Sequence, residues 1–149
     1  MTDVLGEILA RADVKDASVY RADEVARWPR GVLDRLVGLG ILREIEPAWT
    51  IECDGCMAGC LIRPDIALNP RTGRVEGYYL CRDEEYGGPM TFSAELFRRW
   101  ELDFAGLCSA VARALGAKGA VVEDVAGRIG ALGVVRLGDT LHDMFLARG

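Results

Sequence analysis

This 149-residue sequence has a single histidine and no apolar run approaching the ~20 residues that a membrane-spanning helix needs. Its net charge is -5, from 18 basic and 23 acidic side chains, so bulk electrostatics do not favour binding to nucleic acid or to an anionic membrane. The start, Met1-Thr2-Asp3, lacks the charged and apolar segments of a secretory signal. We therefore expect a cytoplasmic, bacterial-type protein with no membrane partner.

Residues suited to catalysis are equally scarce. His142 stands beside Asp143 in a strand-like segment, and the spacing offers no serine or cysteine nucleophile to pair with it. The acidic run Asp83-Glu84-Glu85 is typical of a solvated loop, since no matching ligands for a hard cation are placed around it. The sequence thus predicts a protein that is not an enzyme, and no small-molecule substrate is evident.

What the sequence does have is a cluster of cysteines. Three of the five, Cys53, Cys56 and Cys60, lie within eight residues, and Cys81 follows an apparent hairpin. A Cys-x-x-Cys turn directs two sulfurs at one centre, and clustered thiols in a reducing compartment hold metal more often than they form disulfides. We therefore predict that Cys53, Cys56, Cys60 and Cys81 bind Zn²⁺. Four thiolates leave no open position for water, so the metal would be structural.

Two other interpretations of the cysteines stay open. The same residues could hold an iron–sulfur cluster or act as redox-active thiols, or they could be ordinary buried side chains. Asp54 or Glu84 could also replace Cys60 in a mixed site. Cys108 is left out of the cluster because it belongs to an amphipathic helical stripe and is expected in the core.

Residues 1–52 alternate helical and extended patterns. The pattern predicts a first helix capped by Thr2, a short strand, a second helix, a third helix opened by Pro29 and closed by Gly40, and then two strands. The corresponding segments are Val4 to Leu9 with Leu5 and Ile8 on the same face, Ala17 to Tyr20, Ala22 to Arg27, a helix with Val32, Leu33, Leu36 and Val37 inside, Ile41 to Ile45 and Trp49 to Glu52.

This order of elements resembles the winged-helix modules of bacterial regulators, in which residues 36–42 correspond to the end of a recognition helix and the start of the wing. The resemblance implies that Arg27, Arg30 and Arg35 lie where a winged helix meets the major groove of DNA, with Arg43 in the first wing strand. Asp34 on the same helix and the negative net charge weigh against DNA binding.

Residues 53–92 and 93–149 complete an α+β fold. In the first, strands at Ile66–Leu68 and Val75–Leu80 flank a loop at 69–73, and the hairpin would return Cys81 to Cys53, as in a variant zinc ribbon. In the second, we expect two helices and a terminal hairpin. Ser93 would cap a helix with Leu96, Phe97 and Trp100, Asp103 would cap a helix ending at Gly116, and Gly138-Asp139 would join strands 128–137 and 140–148.

Three functions follow as hypotheses. The first is a non-enzymatic, zinc-stabilised winged-helix module for regulatory or nucleic-acid recognition, with DNA as the partner. The second is a protein–protein adaptor, which needs no basic face and agrees better with the acidic composition. The third is a sensor that uses thiol or iron–sulfur redox chemistry.

Overall fold

The computed structural model describes residues 3–13, 18–53, 59–81 and 88–149. Within these ranges the helices are α1 (Val4–Ala12), α2 (Ala22–Val25), α3 (Val32–Gly38) and α4 (Phe104–Leu115), with a 3₁₀ helix at Ala94–Phe97. The strands are β1 (Val19–Arg21), β2 (Leu42–Ile45), β3 (Ile51–Glu52), β4 (Leu61–Ile62), β5 (Asp65–Leu68), β6 (Val75–Cys81), β7 (Gly88–Ser93), β8 (Arg99–Leu102), β9 (Val122–Val125), β10 (Ile129–Leu137) and β11 (Thr140–Ala147). The predicted α+β class is confirmed.

The chain divides into two compact units. Unit 1 contains Met1–Tyr20, Glu24–Glu44 and Trp100–Gly149. Unit 2 contains Arg21–Asp23 and Ile45–Arg99, and therefore holds the cysteine cluster. In sequence, the main segment of unit 2 separates two segments of unit 1.

Helix α1 of unit 1 begins at a side-chain cap. Asp3 accepts a hydrogen bond from the backbone N of Gly6 at 2.9 Å, so Asp3 takes the role predicted for Thr2, which lies outside the described residues. Val4 and Ile8 are buried at successive turns, as predicted. Leu5 and Leu9, expected on the same inner face, are instead 47% and 43% exposed.

Helix α3 ends in the predicted glycine cap. Gly40 has φ 76°, its N donates to the Val37 carbonyl, and the N of Ile41 donates to the Leu36 carbonyl, both at 2.9 Å. This is a Schellman motif, which favours glycine because of the left-handed conformation. The helix itself is shorter than predicted: the chain turns at Pro29, and α3 begins at Val32.

A three-stranded sheet of order β1-β8-β2 lies mostly in unit 1. We predicted that Trp49 to Glu52 would be a second strand joined to β2 by residues 46–48. A strand is present at Ile51–Glu52, but it pairs with β4 and not with β2. The neighbour of β2 is β8, whose buried Trp100 and Leu102 alternate with Arg99 and Glu101. The helix predicted to carry Trp100 is therefore wrong beyond its first turn, the 3₁₀ helix that Ser93 caps.

Helix α4 and the last sheet form the other part of unit 1. Asp103 caps α4 through Gly106 N at 2.9 Å, and the helix ends at Gly116, as predicted. Strands β10 and β11 form the predicted hairpin, in which Leu137 pairs with Thr140 across Gly138-Asp139. Strand β9 adds a third strand that we did not predict.

Helix α4 approaches the end of α3 at two glycines. A Cβ built on Gly106 would stand 1.7 Å from the Gly40 carbonyl oxygen, far inside any van der Waals contact. The N of Asp103 also donates to the Ile41 carbonyl at 3.0 Å. The absence of a side chain at Gly106 thus allows the first turn of α4 to dock on the α3 cap.

Unit 2 contains two small sheets. Strands β3 and β4 form one antiparallel pair, and β5, β6 and β7 form a second antiparallel sheet in that order. The β5–β6 hairpin was predicted and is confirmed; its loop is closed by a hydrogen bond from Asn69 N to Arg74 O at 2.8 Å. Strand β7 was not predicted.

The interior of unit 2 is small. Among its described hydrophobic side chains only Cys53, Cys81 and Phe97 are buried, whereas all the other buried hydrophobic side chains that the structure describes belong to unit 1. Phe97 contacts Phe92, with ring centroids 5.1 Å apart. A unit of this size with so few buried side chains is typical of small domains that depend on metal or disulfide cross-links.

Candidate metal centre

Strands β3 and β4 place the first and third cysteines of the cluster opposite each other. Ile51 pairs with Ile62 and Glu52 with Leu61, and Cys53 N donates to the Cys60 carbonyl at 2.8 Å. Residues that pair directly across an antiparallel ladder direct their side chains to the same face. The backbone of the β3–β4 hairpin therefore brings Cys53 and Cys60 directly across from each other at the ends of the two strands.

Strand β6 brings a further cysteine to Cys53. The Sγ atoms of Cys53 and Cys81 are 3.5 Å apart, and the two residues are only 5% and 7% exposed. This separation is much longer than the ~2.05 Å of a disulfide bond. It is close to the ~3.8 Å edge of a tetrahedron with Zn–S bonds of about 2.3 Å. The pair therefore fits two ligands of one tetrahedral thiolate site.

The other two predicted ligands are Cys60 and Cys56. Cys60 is exposed, and Cys56 lies outside the described residues, as do the alternative ligands Asp54 and Glu84. In the described part of the chain, no group of three or more His, Cys, Asp or Glu side chains is arranged to hold a metal ion. Cys53 thus contacts Cys81 through its sulfur and Cys60 through a backbone hydrogen bond.

Cys108 lies apart from the cluster in unit 1. It is fully buried on α4, where Gly130 of β10 packs against its Sγ, and burial raises the pKa of its thiol, with a smaller contribution from Glu123. The prediction that Cys108 belongs to the core is confirmed. His142 lies on β11 opposite Val135 and is exposed.

The four predicted nucleic-acid-binding arginines are not equivalent. Arg27, Arg30 and Arg35 are exposed. Arg27 and Arg30 precede α3, and Arg35 lies on α3 and follows Asp34 in the sequence. Arg43 forms an ion pair with Glu101 of β8, which raises the pKa of the guanidinium. The Arg43 guanidinium is therefore already paired with a carboxylate of the same chain.

The sequence pattern did not reveal the polar cluster around Glu76 on β6. The Glu76 carboxylate accepts hydrogen bonds from Asn69 Nδ2 at 2.6 Å, Thr72 Oγ1 at 2.9 Å and Tyr78 OH at 3.2 Å. The bonds from Asn69 and Thr72 hold the pKa of Glu76 below its usual value. The Asn-Pro-Arg-Thr-Gly loop was the available signal, since an asparagine at its first position commonly organises such a turn.

Comparison with models of known protein families, with curated proteins and with solved structures gives no match for this chain. No helix in the described ranges is long and apolar enough to cross a membrane. The function must therefore be argued from the arrangement of this chain's own residues.

Proposed function

We propose that this protein is a non-enzymatic recognition module in which a structural Zn²⁺ stabilises unit 2. Cys53, Cys56, Cys60 and Cys81 are its ligands, and the ion supplies four Zn–S bonds that cross-link the β3–β4 hairpin to the end of β6. The observation that carries this proposal is the buried 3.5 Å contact between the sulfurs of Cys53 and Cys81.

The shortage of buried side chains in unit 2 supports a structural role for the metal. Phe97 is the one buried hydrophobic side chain besides the two cysteines in the described part of this unit. Zinc binding by small thiolate sites supplies on the order of 10 kcal/mol, which is comparable with the stability of a whole domain. Metal binding can thus add to the few buried hydrophobic side chains in the described part of unit 2.

For unit 1 we propose a winged-helix module. The order α1, β1, α2, α3, β2 and the sheet order β1-β8-β2 support this interpretation, with β8 as the third strand of the sheet. In this arrangement the chain between β2 and β8, where a wing would lie, is the main segment of unit 2. From the sequence pattern alone, Trp49 to Glu52 would be the third strand of the winged-helix sheet. In our proposal the third strand is Arg99–Leu102, the neighbour of β2.

The first candidate partner is DNA, bound through Arg30 and Arg35. The test is a titration of duplex binding against salt. Replacing both arginines with alanine should flatten the slope of log K against log salt by about 0.9 for each phosphate that the protein no longer neutralises. Arg128→Ala, in the turn between β9 and β10, is the control that should leave the slope unchanged, and Arg43→Ala should have a small effect because Arg43 pairs with Glu101.

Two results would reject the DNA proposal: no detectable binding at low salt, or equal slopes for the parent protein and the Arg30→Ala/Arg35→Ala variant. Neither result bears on the zinc proposal, because the metal ligands belong to unit 2 and are assayed separately by metal content.

A protein–protein adaptor is the second candidate. The exposed apolar side chains of unit 2 favour it: Trp49, which precedes β3, is 65% exposed, and Leu61 of β4 is 72% exposed. A photo-cross-linking residue in place of Trp49 should then capture one defined protein in cells. The same probe at Val37, which is 41% exposed in unit 1, is the control. Capture of the same proteins at both positions would count against an adaptor surface on unit 2.

A further inference from the structure

The three cysteines that the structure describes in unit 2 differ in their access to solvent. Cys53 and Cys81 are 5% and 7% exposed, whereas Cys60 is exposed. Buried structural cysteines are inert, and oxidation selects cysteines that solvent reaches. A dissolved oxidant therefore meets the sulfur of Cys60 before it meets either of the other two.

Cys60 has a second cysteine within the span of a disulfide bond. Cys53 N donates to the Cys60 carbonyl at 2.8 Å, so the two residues extend the antiparallel β3–β4 ladder by one hydrogen-bonded pair. The Cα atoms of such a pair lie about 5.5 Å apart. Disulfide bonds span Cα separations of about 4.4–6.8 Å. The backbone of the hairpin is therefore compatible with a bond between Cys53 and Cys60.

Cys53 also lies beside Cys81 at the end of β6. Their Sγ atoms are 3.5 Å apart. An approach of about 1.5 Å would bring them to the ~2.05 Å of a disulfide bond. Disulfides exchange when a third sulfur attacks one of the two bonded sulfurs. Cys81 is therefore close enough to attack the Cys53 sulfur of a Cys53–Cys60 disulfide and to displace Cys60.

We propose that the cysteine site is a switch for hydroperoxides, in which Cys60 reacts first and the final product is a Cys53–Cys81 disulfide. This inference rests on the zinc site of the proposed function and adds its regulation. Thiolates bind metal, and the disulfide removes two of the four ligand thiolates, so oxidation releases the ion. The same bond joins the end of β3 to the end of β6.

The oxidation takes three steps. The Cys60 sulfur takes the terminal oxygen of the hydroperoxide as the O–O bond breaks, which gives a sulfenic acid and an alcohol. The Cys53 sulfur then bonds to the Cys60 sulfur, and the hydroxyl group leaves as water after taking up a proton. Finally the Cys81 sulfur attacks Cys53, the Cys53–Cys60 bond breaks, and Cys60 leaves as a thiolate. Two electrons thus pass from Cys53 and Cys81 to the hydroperoxide.

The test is oxidation of the zinc-loaded full chain by hydrogen peroxide. Dimedone, which traps sulfenic acids, should label Cys60 in a peptide map taken at early times. Disulfide mapping by mass spectrometry should then find Cys53–Cys81 as the main product, with zinc released to a colorimetric chelator in proportion to the disulfide formed. Reduction with dithiothreitol should restore zinc binding.

Histidine variants separate the steps, because histidine can replace a cysteine ligand of zinc without supplying a reactive sulfur. Cys60→His should form the Cys53–Cys81 disulfide about tenfold more slowly than the parent chain, since the accessible sulfur is gone. Cys81→His should stop at the Cys53–Cys60 disulfide. Cys108→Ser is the control that should leave the rate unchanged, because Cys108 is buried in unit 1.

The results distinguish this proposal from the zinc site on which it rests. A zinc-loaded protein that dimedone labels first at Cys53 or Cys81, or whose main disulfide is not Cys53–Cys81, would overturn the switch and leave the metal site intact. Equal rates of oxidation for the parent chain and Cys60→His would also overturn it. Absence of zinc before treatment would instead count against the proposed function itself.

Discussion

Removing the metal should unfold unit 2 and leave unit 1 intact. Zinc binding contributes on the order of 10 kcal/mol in small thiolate sites. Unit 2 has little with which to replace it, because Phe97 is its one described buried hydrophobic side chain other than the cysteines. Unit 1 contains no predicted ligand and has an extensive core. A strong chelator should therefore lower the stability of unit 2 and leave the stability of unit 1 unchanged.

The three tryptophans allow this to be measured. Trp28 and Trp100 belong to unit 1 and are 9% and 4% exposed, whereas Trp49 of unit 2 is 65% exposed. After chelation the tryptophan emission should keep its blue component, since the buried indoles are unaffected. Trypsin should at the same time begin to cleave rapidly after Arg71 and Arg74, in the β5–β6 loop.

Matched cysteine variants control this experiment. Cys81→Ala should reproduce the effect of the chelator on proteolysis. Cys108→Ala should leave the proteolysis of unit 2 unchanged but lower the free energy of unfolding of unit 1 by about 1 kcal/mol, because a buried sulfur is removed. Unchanged tryptic cleavage after chelation would refute the argument that metal stabilises unit 2, and a red shift of the whole emission would refute its restriction to that unit.

Three further predictions concern individual residues. Gly106→Ala should lower the melting temperature of unit 1, with a cost of about 1–3 kcal/mol from overpacking, whereas Gly38→Ala, where a Cβ meets nothing within 4 Å, should be neutral or stabilising in a thermal scan. Tyr20→Phe should not destabilise the fold in a denaturant titration, because the buried Tyr20 hydroxyl has no hydrogen-bond partner in the described structure. In an NMR titration the Glu76 carboxyl should have a pKa below its usual value, and Asn69→Ala should raise it. Since the folded-state pKa is lowered, Glu76 contributes stability above its unfolded-state pKa and loses it as the pH falls through the folded value.

Local signals in the sequence predicted the elements that depend on nearby residues. The caps at Ser93 and Asp103, the glycine end of α3 and the Gly138-Asp139 turn each rest on interactions within a few residues, and each is observed. Short-range hydrogen bonding decides such features, so a sequence pattern is sufficient to find them.

Strand pairing over long distances was not predictable in the same way. The segment Trp49 to Glu52 was correctly assigned as extended, but its partner is β4 and not β2. Trp100 also satisfied helical spacing with Leu96 and Phe97, which concealed the alternating pattern of β8. The pairing of β8 with β2 joins residues more than 50 positions apart, which local propensity does not encode.

In the cysteine cluster, too, one feature was predictable from the sequence and another was not. The β5–β6 hairpin was evident from its turn residues, and it led to the expectation that Cys81 would return to Cys53. The two sulfurs do lie 3.5 Å apart. The exposure of Cys60 was not expected, because spacing along the chain fixes which residues can approach one another but not the side-chain conformation at the end of β4.

The central claim is tested most directly by the metal content of the purified protein, measured by elemental mass spectrometry for the parent chain and for Cys60→Ser and Cys81→Ser. Our account predicts one zinc ion per chain in the parent protein and its loss in both variants, with Cys108→Ser retaining it. Iron in place of zinc would favour the redox sensor, and a parent protein without bound metal would contradict the account.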